Sequence, residues 1–169
     1  MCVINRIGRL SAGLMTYLLV SHGTPGAIAA EQVALQQCRQ GECLHHLLVI
    51  PEWWADMTGD DWLNSGASRN RYREYIEQQL HAEAEQVFAR VQNQCESRGI
   101  NYSSLCVVGN TPKVLEKYVY NESYVKVFVG SRRPSHCEGV NDRGISNKLI
   151  KNAAAKLVII DHPYASCIT

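Results

Sequence analysis

No two of the seven cysteines stand in C-x-x-C spacing, and the six histidines complete no zinc-finger pattern with them. An odd number of thiols, at Cys2, Cys38, Cys43, Cys95, Cys106, Cys137 and Cys167, cannot pair off within one chain. A disulfide framework and a Cys/His zinc module are therefore set aside, and the set reads as mostly reduced thiols in a cytoplasmic protein. No run approaches the roughly 18–20 apolar residues of a membrane helix. The first 14 residues carry Arg6 and Arg9 but lack the unbroken apolar stretch of a secretory signal. Charge of one sign is missing too. The 17 Lys and Arg oppose 16 Asp and Glu for a net +1, both signs are mixed along the chain, and no polybasic tail is present. No broad field draws in nucleic acid or a membrane surface.

What is there is an ordinary globular composition. The 169 residues are 46% hydrophobic and 20% charged, enough for one good core and short for two. We expect one domain over residues 15–169 behind a loosely ordered extension, residues 1–14. Apolar runs closed by Gly, Pro or Asn predict strands at Tyr17–Val20, His45–Ile50, Tyr102–Val108, Val125–Val129 and Leu157–Ile160. Helical segments alternate with them: Ala27–Arg39, with Ile28, Val33 and Leu35 as core candidates, then Arg69–Arg98, a segment from Thr111 through Tyr118, and Ser146–Ala155. The long second helix repeats Tyr72, Ile76, Leu80, Ala84, Val87 and Val91 at the helical period, and Gly99 stops it. Thr111 suits an N-cap and Pro112 the first helical position. Trp53–Ser68 reads as a long loop. Strands without polar alternation are buried on both faces, so the alternating order predicts a doubly wound α/β fold with a parallel sheet and helices on both sides.

Ligands of such sheets bind beyond the carboxyl ends of the strands, near the point where the strand order reverses. Three turns belong there: Ser21–Gly26, Val108–Pro112 and the segment opening at Gly130. Glycine lets backbone approach a ligand, turn N–H groups favour phosphate, and Arg132 and Arg133 add charge. Each glycine also reads as a plain turn residue, and Ser146 as a helix cap. His22 is placed to be a general base, but no nucleophile and carboxylate can be assigned beside it. His45 and His46 alternate to opposite faces, which argues against one metal between them. Asp60–Asp61 and Asp161–His162 read as solvated turns. Cys106, in an apolar run, reads as a buried thiol, and Cys137 as an exposed one among basic neighbours.

From about residue 16 to residue 162 these features resemble the universal stress protein family. The resemblance rests on the element order, the turn Ser21-His22-Gly23-Thr24 after the first strand, Val107-Val108-Gly109-Asn110-Thr111-Pro112 after the third, and Val127-Phe128-Val129-Gly130-Ser131-Arg132 after the fourth. It implies a five-stranded parallel sheet in the order 3-2-1-4-5, frequent dimers, and in many members ATP or AMP, with Mg, at the crevice. The implied nucleotide positions are Ser21, His22, Gly23, Val49, Val108 and Gly109, then Gly130, Ser131, Arg132 and Arg133, then Arg143, Gly144, Ile145 and Ser146. Nucleotide-binding members carry an aspartate where this chain has His22. Their phosphate loop reads G-x-x-G, nine residues, then G-S or G-T. Here Gly130 keeps the first glycine, while Arg133 and Arg143 replace the next two, and Gly144 takes the hydroxyl position. Arginine is bulky where backbone should meet phosphate, yet it carries charge that can hold an anion in another pose.

Two functional readings follow. One is a regulatory stress-response protein with adenine nucleotide or other anion binding and no robust catalysis. The other is a nucleotide-free homodimeric interaction module of the same family. Leu157–Ile160, an apolar edge strand, is the expected dimer contact, and Trp53, Trp54 and Trp62 offer a surface for a protein partner. A hydrolase would need a placed base and metal carboxylates that the sequence does not show.

Overall fold

The computed structural model describes residues 4–6, 15–21, 25–50, 66–119, 124–131, 156–161 and 163. Six strands and three helices are defined among them: β1 Ile4–Arg6, β2 Thr16–Ser21, α1 Pro25–Gln37, β3 Cys43–Ile50, α2 Gly66–Ser97, β4 Asn101–Val108, α3 Thr111–Val119, β5 Tyr124–Gly130 and β6 Leu157–Ile160. They form one sheet in the order β1-β4-β3-β2-β5-β6. Strands β2 to β6 are mutually parallel, and counted among themselves they run 3-2-1-4-5, as expected. The addition is β1, which pairs antiparallel with β4 in the register Ile4 to Cys106 and Arg6 to Ser104. Part of the extension is thus an edge strand. The helix expected at Ser146–Ala155 lies outside the described residues.

Every residue of β2 is buried. Side chains alternate across a strand, so one face of the sheet carries Tyr17, Leu19, Leu44 and Phe128 against Ala30, Ala34 and Leu35 of α1, Cys38 just past its end, and Val91 and Cys95 of α2. The other face carries Leu18, Val20, Leu47, Val49, Val127 and Val129 against Leu115 and Val119 of α3. Ala84 and Phe88 of α2 cover Leu48, Ile50 and Cys106. Ile28, expected in the core, is exposed. The inward face of α1 holds Ala27, Ala30, Glu31, Ala34 and Leu35, with Cys38 just past its end, and its alanines let the helix axis lie close to the sheet.

Helix boundaries follow local chemistry. At α3 the cap is Asn110 rather than Thr111: its side-chain oxygen accepts the Lys113 N–H at 3.3 Å and its carbonyl the Val114 N–H at 3.0 Å. Pro112 therefore takes the second helical position. Helix α2 begins at Gly66, so the last three residues assigned to the long loop are helical. It ends in a Schellman arrangement, with Ile100 N–H to the Cys95 carbonyl at 2.9 Å and Gly99 N–H to the Glu96 carbonyl at 3.1 Å. Gly99 has φ +67°, and a Cβ there would meet Gln40 Cγ at 2.9 Å. The Gly99 carbonyl then accepts the Gly41 N–H, joining this turn to the one before β3. Gly99→Ala is expected to cost about 1–2 kcal/mol, from the left-handed backbone alone. Urea unfolding of the variant beside the parent reads this as a lower midpoint at unchanged slope.

Candidate functional site

The order reverses at β2, which lies between β3 and β5. Its carboxyl end is Ser21. Register places Leu48 of β3 beside Ser21, Val129 of β5 beside Val20, and Gly130 one residue beyond it. Ser21, Gly109, Gly130 and Ser131 thus end their strands on the same side of the sheet. Helix α1 opens there, with Gly26 against Gly130. Of the other expected positions, Val108 is half-buried at the end of β4 and packs on the Phe88 cluster. Val49 is a core residue beneath α3 rather than a residue open to the crevice. His22, Gly23, Arg132, Arg133, Arg143, Gly144, Ile145 and Ser146 lie outside the described residues, as do Trp53, Trp54, Trp62 and Cys137.

The structure gives two of the glycines a structural occupation. A Cβ on Gly130 would stand 2.4 Å from the backbone carbon and oxygen of Gly26, so the residue is small because a helix start crosses it. The Gly109 N–H donates to the Ile50 carbonyl at 2.9 Å, and the Ser131 N–H to the Ile160 carbonyl at 2.6 Å. Those two donors hold the sheet and do not point at a phosphate. Gly130→Ala is therefore expected to destabilise the fold by about 1–3 kcal/mol through overpacking. Thermal unfolding with and without ATP checks this, because a glycine kept for ligand approach alone would leave the ligand-free melting point unchanged.

Beneath the site runs a buried polar chain. Ser21 Oγ lies 2.6 Å from His46 Nε2, and His46 Nδ1 lies 2.8 Å from the Tyr102 hydroxyl. Phe88 meets the imidazole edge-on, with ring centroids 5.1 Å apart. Either neutral tautomer satisfies both ring nitrogens, with a hydroxyl donating at one and accepting at the other. Burial pulls His46 down to about 3, and the nearby Arg90 charge adds to the effect. An imidazole held that low cannot take the proton that a nucleophilic serine must give up. Ser21 and His46 together therefore make a neutral structural link, although they meet at nucleophile–base distance. His45, on the opposite face as alternation requires, has its Nδ1 3.1 Å from the Tyr124 hydroxyl and is also lowered by burial.

Between α1 and α2 the Arg90 guanidinium donates to Glu31 at 2.5 Å. Glu31 is buried; desolvation raises its carboxyl and Arg90 opposes that. Sequence reasoning passed over both residues and over the role of His46. Glu31 sits on the small-residue stripe of α1, which is the one signal that could have marked it. Burial pushes the Cys38 thiol up to about 12 and Cys95 to about 11, and neither forms a thiolate at neutral pH. Cys106 is buried, as expected. Among the described residues no three His, Cys, Asp or Glu side chains converge to hold a metal, and no helix is long and apolar enough to cross a membrane.

No family model matches the sequence, and no curated protein does. Solved structures do match in fold. The hypothetical protein MJ0577 superposes with a TM-score of 0.65 at 16% identity, over 87% of this chain and 95% of that one. A universal stress protein family member from Burkholderia pseudomallei gives 0.58 at 15%, over 89% and 98%. One from Arabidopsis thaliana, solved with AMP bound, gives 0.58 at 14%, over 88% and 92%. The chain has the universal stress protein fold. That fold places the strand ends of β2, β4 and β5 around one crevice and leaves its chemistry to the residues described above.

His46 makes stability depend on pH in a stated direction. In the unfolded chain it takes up a proton near 6.5; in the fold it resists until about 3. Stability is complete above the unfolded value and falls as pH drops between the two, by about 1.4 kcal/mol per pH unit for one proton. His45 acts in the same direction. His46→Gln keeps a donor and an acceptor without the titration, so its urea midpoint should fall less steeply from pH 6.5 to 4. An unchanged slope would place the proton uptake elsewhere.

Proposed function

We propose that the chain is a regulatory protein of the universal stress protein family that takes an adenine nucleotide, or another phosphate anion, at the β2–β5 switch point without turning it over. The observation that carries this reading is the convergence there of Ser21, Gly109 and Gly130-Ser131 at the ends of three parallel strands, beside the first turn of α1. The Arabidopsis thaliana protein of the same fold, solved with AMP bound, supports the ligand class. Because the Gly109 and Ser131 N–H groups already serve the sheet, the anion is held by side-chain charge. Arg132, Arg133 and Arg143 supply it at the positions where binders of the family carry the backbone cradle. We place the protein in the cytoplasm as a homodimer joined at the β6 edge, Leu157–Ile160, where Ile159 is exposed. The segment Trp53–Trp62 is the proposed surface for a protein partner.

The committed N–H groups and the two arginines also favour a second reading, a nucleotide-free interaction module. Titration calorimetry with ATP and Mg separates the two. Charge capture predicts saturable heat that weakens as salt rises. It also predicts at least about a tenfold loss, near 1.4 kcal/mol, in the Arg133→Gly, Arg143→Gly variant. Stronger binding in that variant would mean that arginine bulk blocks the family's usual pose. No heat in either protein leaves the nucleotide-free module. ATP turnover above buffer, lost on changing His22, would overturn the non-catalytic part of the proposal.

A further inference from the structure

Strand β4 ends the parallel part of the sheet, and its residues are Asn101-Tyr-Ser-Ser-Leu-Cys-Val-Val108. The strand holds no charged residue and no proline, the two devices that usually keep an open strand edge from pairing with another chain. It carries Tyr102, Val107 and Val108, which suit an extended strand, and it has no glycine. The Asn101 N–H donates to the Glu42 carbonyl and the Gly109 N–H to the Ile50 carbonyl, both towards β3. The alternation between them turns the N–H groups of Tyr102, Ser104, Cys106 and Val108 outwards. In the middle of this row β1 is paired, with Ile4 opposite Cys106 and Arg6 opposite Ser104.

We propose that Ile4–Arg6 guard the outer edge of β4, and that without them this edge pairs with the same edge of a second copy of the chain. A second copy is the fitting occupant because the exposed row is uncharged. Antiparallel pairing of β4 with β4 across a two-fold axis brings no like charges together at any register. With β1 in place the outermost strand holds Arg6, a charged residue of the kind that keeps strand edges from pairing. This contact lies at the opposite end of the sheet from β6, so it adds to the proposed dimer and does not replace it.

The test compares the full chain with residues 15–169 by light scattering after gel filtration, over about a hundredfold range of concentration. We expect the shortened chain to reach at least twice the full chain's own mass, increasingly so with concentration. Ser103→Lys in the shortened chain, which puts an edge-blocking lysine on this strand in both copies, should return the mass to that of the full chain. Equal masses for the two chains across the range overturn the proposal. So does association that Ser103→Lys leaves intact, because the contact would then lie elsewhere. If circular dichroism shows that the shortened chain is unfolded, the full-length Ile4→Pro, Arg6→Pro variant takes its place. That variant removes the N–H donors that β1 gives to β4 and is held to the same mass criteria. In dilute full-length protein, hydrogen exchange at the Ser104 and Cys106 amides should be slow, and in the proline variant fast. Equal exchange in the two overturns the guarding role.

Discussion

Helix α1 lies so close to the sheet that its first turn touches the end of β5: a single Cβ on Gly130 would overlap the backbone of Gly26. Much else follows from that approach. It goes with alanine at positions 27, 30 and 34 of α1, where larger side chains would hold the helix away. It places the helix start directly over the switch point, where backbone N–H groups are not needed within the helix. Between α1 and α2, Arg90 reaches a buried Glu31. Leaving that carboxylate unpaired would be more damaging than replacing both partners by apolar residues, so the pair acts chiefly to fix how the two helices sit.

Apart from the Glu31–Arg90 pair, the polar chain buried on this side of the sheet is kept neutral. Ser21, His46 and Tyr102 satisfy one another across β2, β3 and β4, and the imidazole is aligned by Phe88 without meeting a carboxylate. A charged imidazole in the same place would carry a desolvation penalty of several kcal/mol with no ion to offset it. The consequence is a division of labour in the lower half of the molecule. Polar groups under the helices specify packing, and any charge that meets a ligand has to come from the turns above the strand ends.

Much of this was legible in the sequence. Runs such as Leu47-Leu48-Val49-Ile50 and Val127-Phe128-Val129 are apolar on both faces, and only a sheet covered on both sides accommodates them; that set the fold class, while the strand order came from the family resemblance. The alternation of His45 and His46 was equally readable, since period two places neighbours on opposite faces. The failures have physical causes. Ile28 attracted attention by its size, whereas close packing selected alanine. Thr111 and Asn110 both have cap chemistry, and sequence alone does not say which of two adjacent residues leaves the helix. β1 is three residues long and gains its structure from the β4 edge, so its own composition carries no signal. Gly130 was singled out for ligand approach, but its smallness answers to Gly26. Close approach to a helix and close approach to a phosphate leave the same mark on a sequence.

That last ambiguity bears on the arginines. If the first glycine of the motif is retained for packing, its presence carries no information about ligand, and the substitutions at Arg133 and Arg143 need not be read as decay of a working cradle. A cradle of N–H groups selects phosphate by geometry and loses it when a side chain intrudes. A cluster of guanidinium groups selects by charge and planar hydrogen bonding, and it tolerates more than one pose. The Gly109 and Ser131 amides donate within the sheet and not to such a cradle, and the proposed anion site therefore draws on the second mode. It favours recognition of a phosphate-bearing group over recognition of one nucleotide, because geometry no longer enforces the base and the phosphate together.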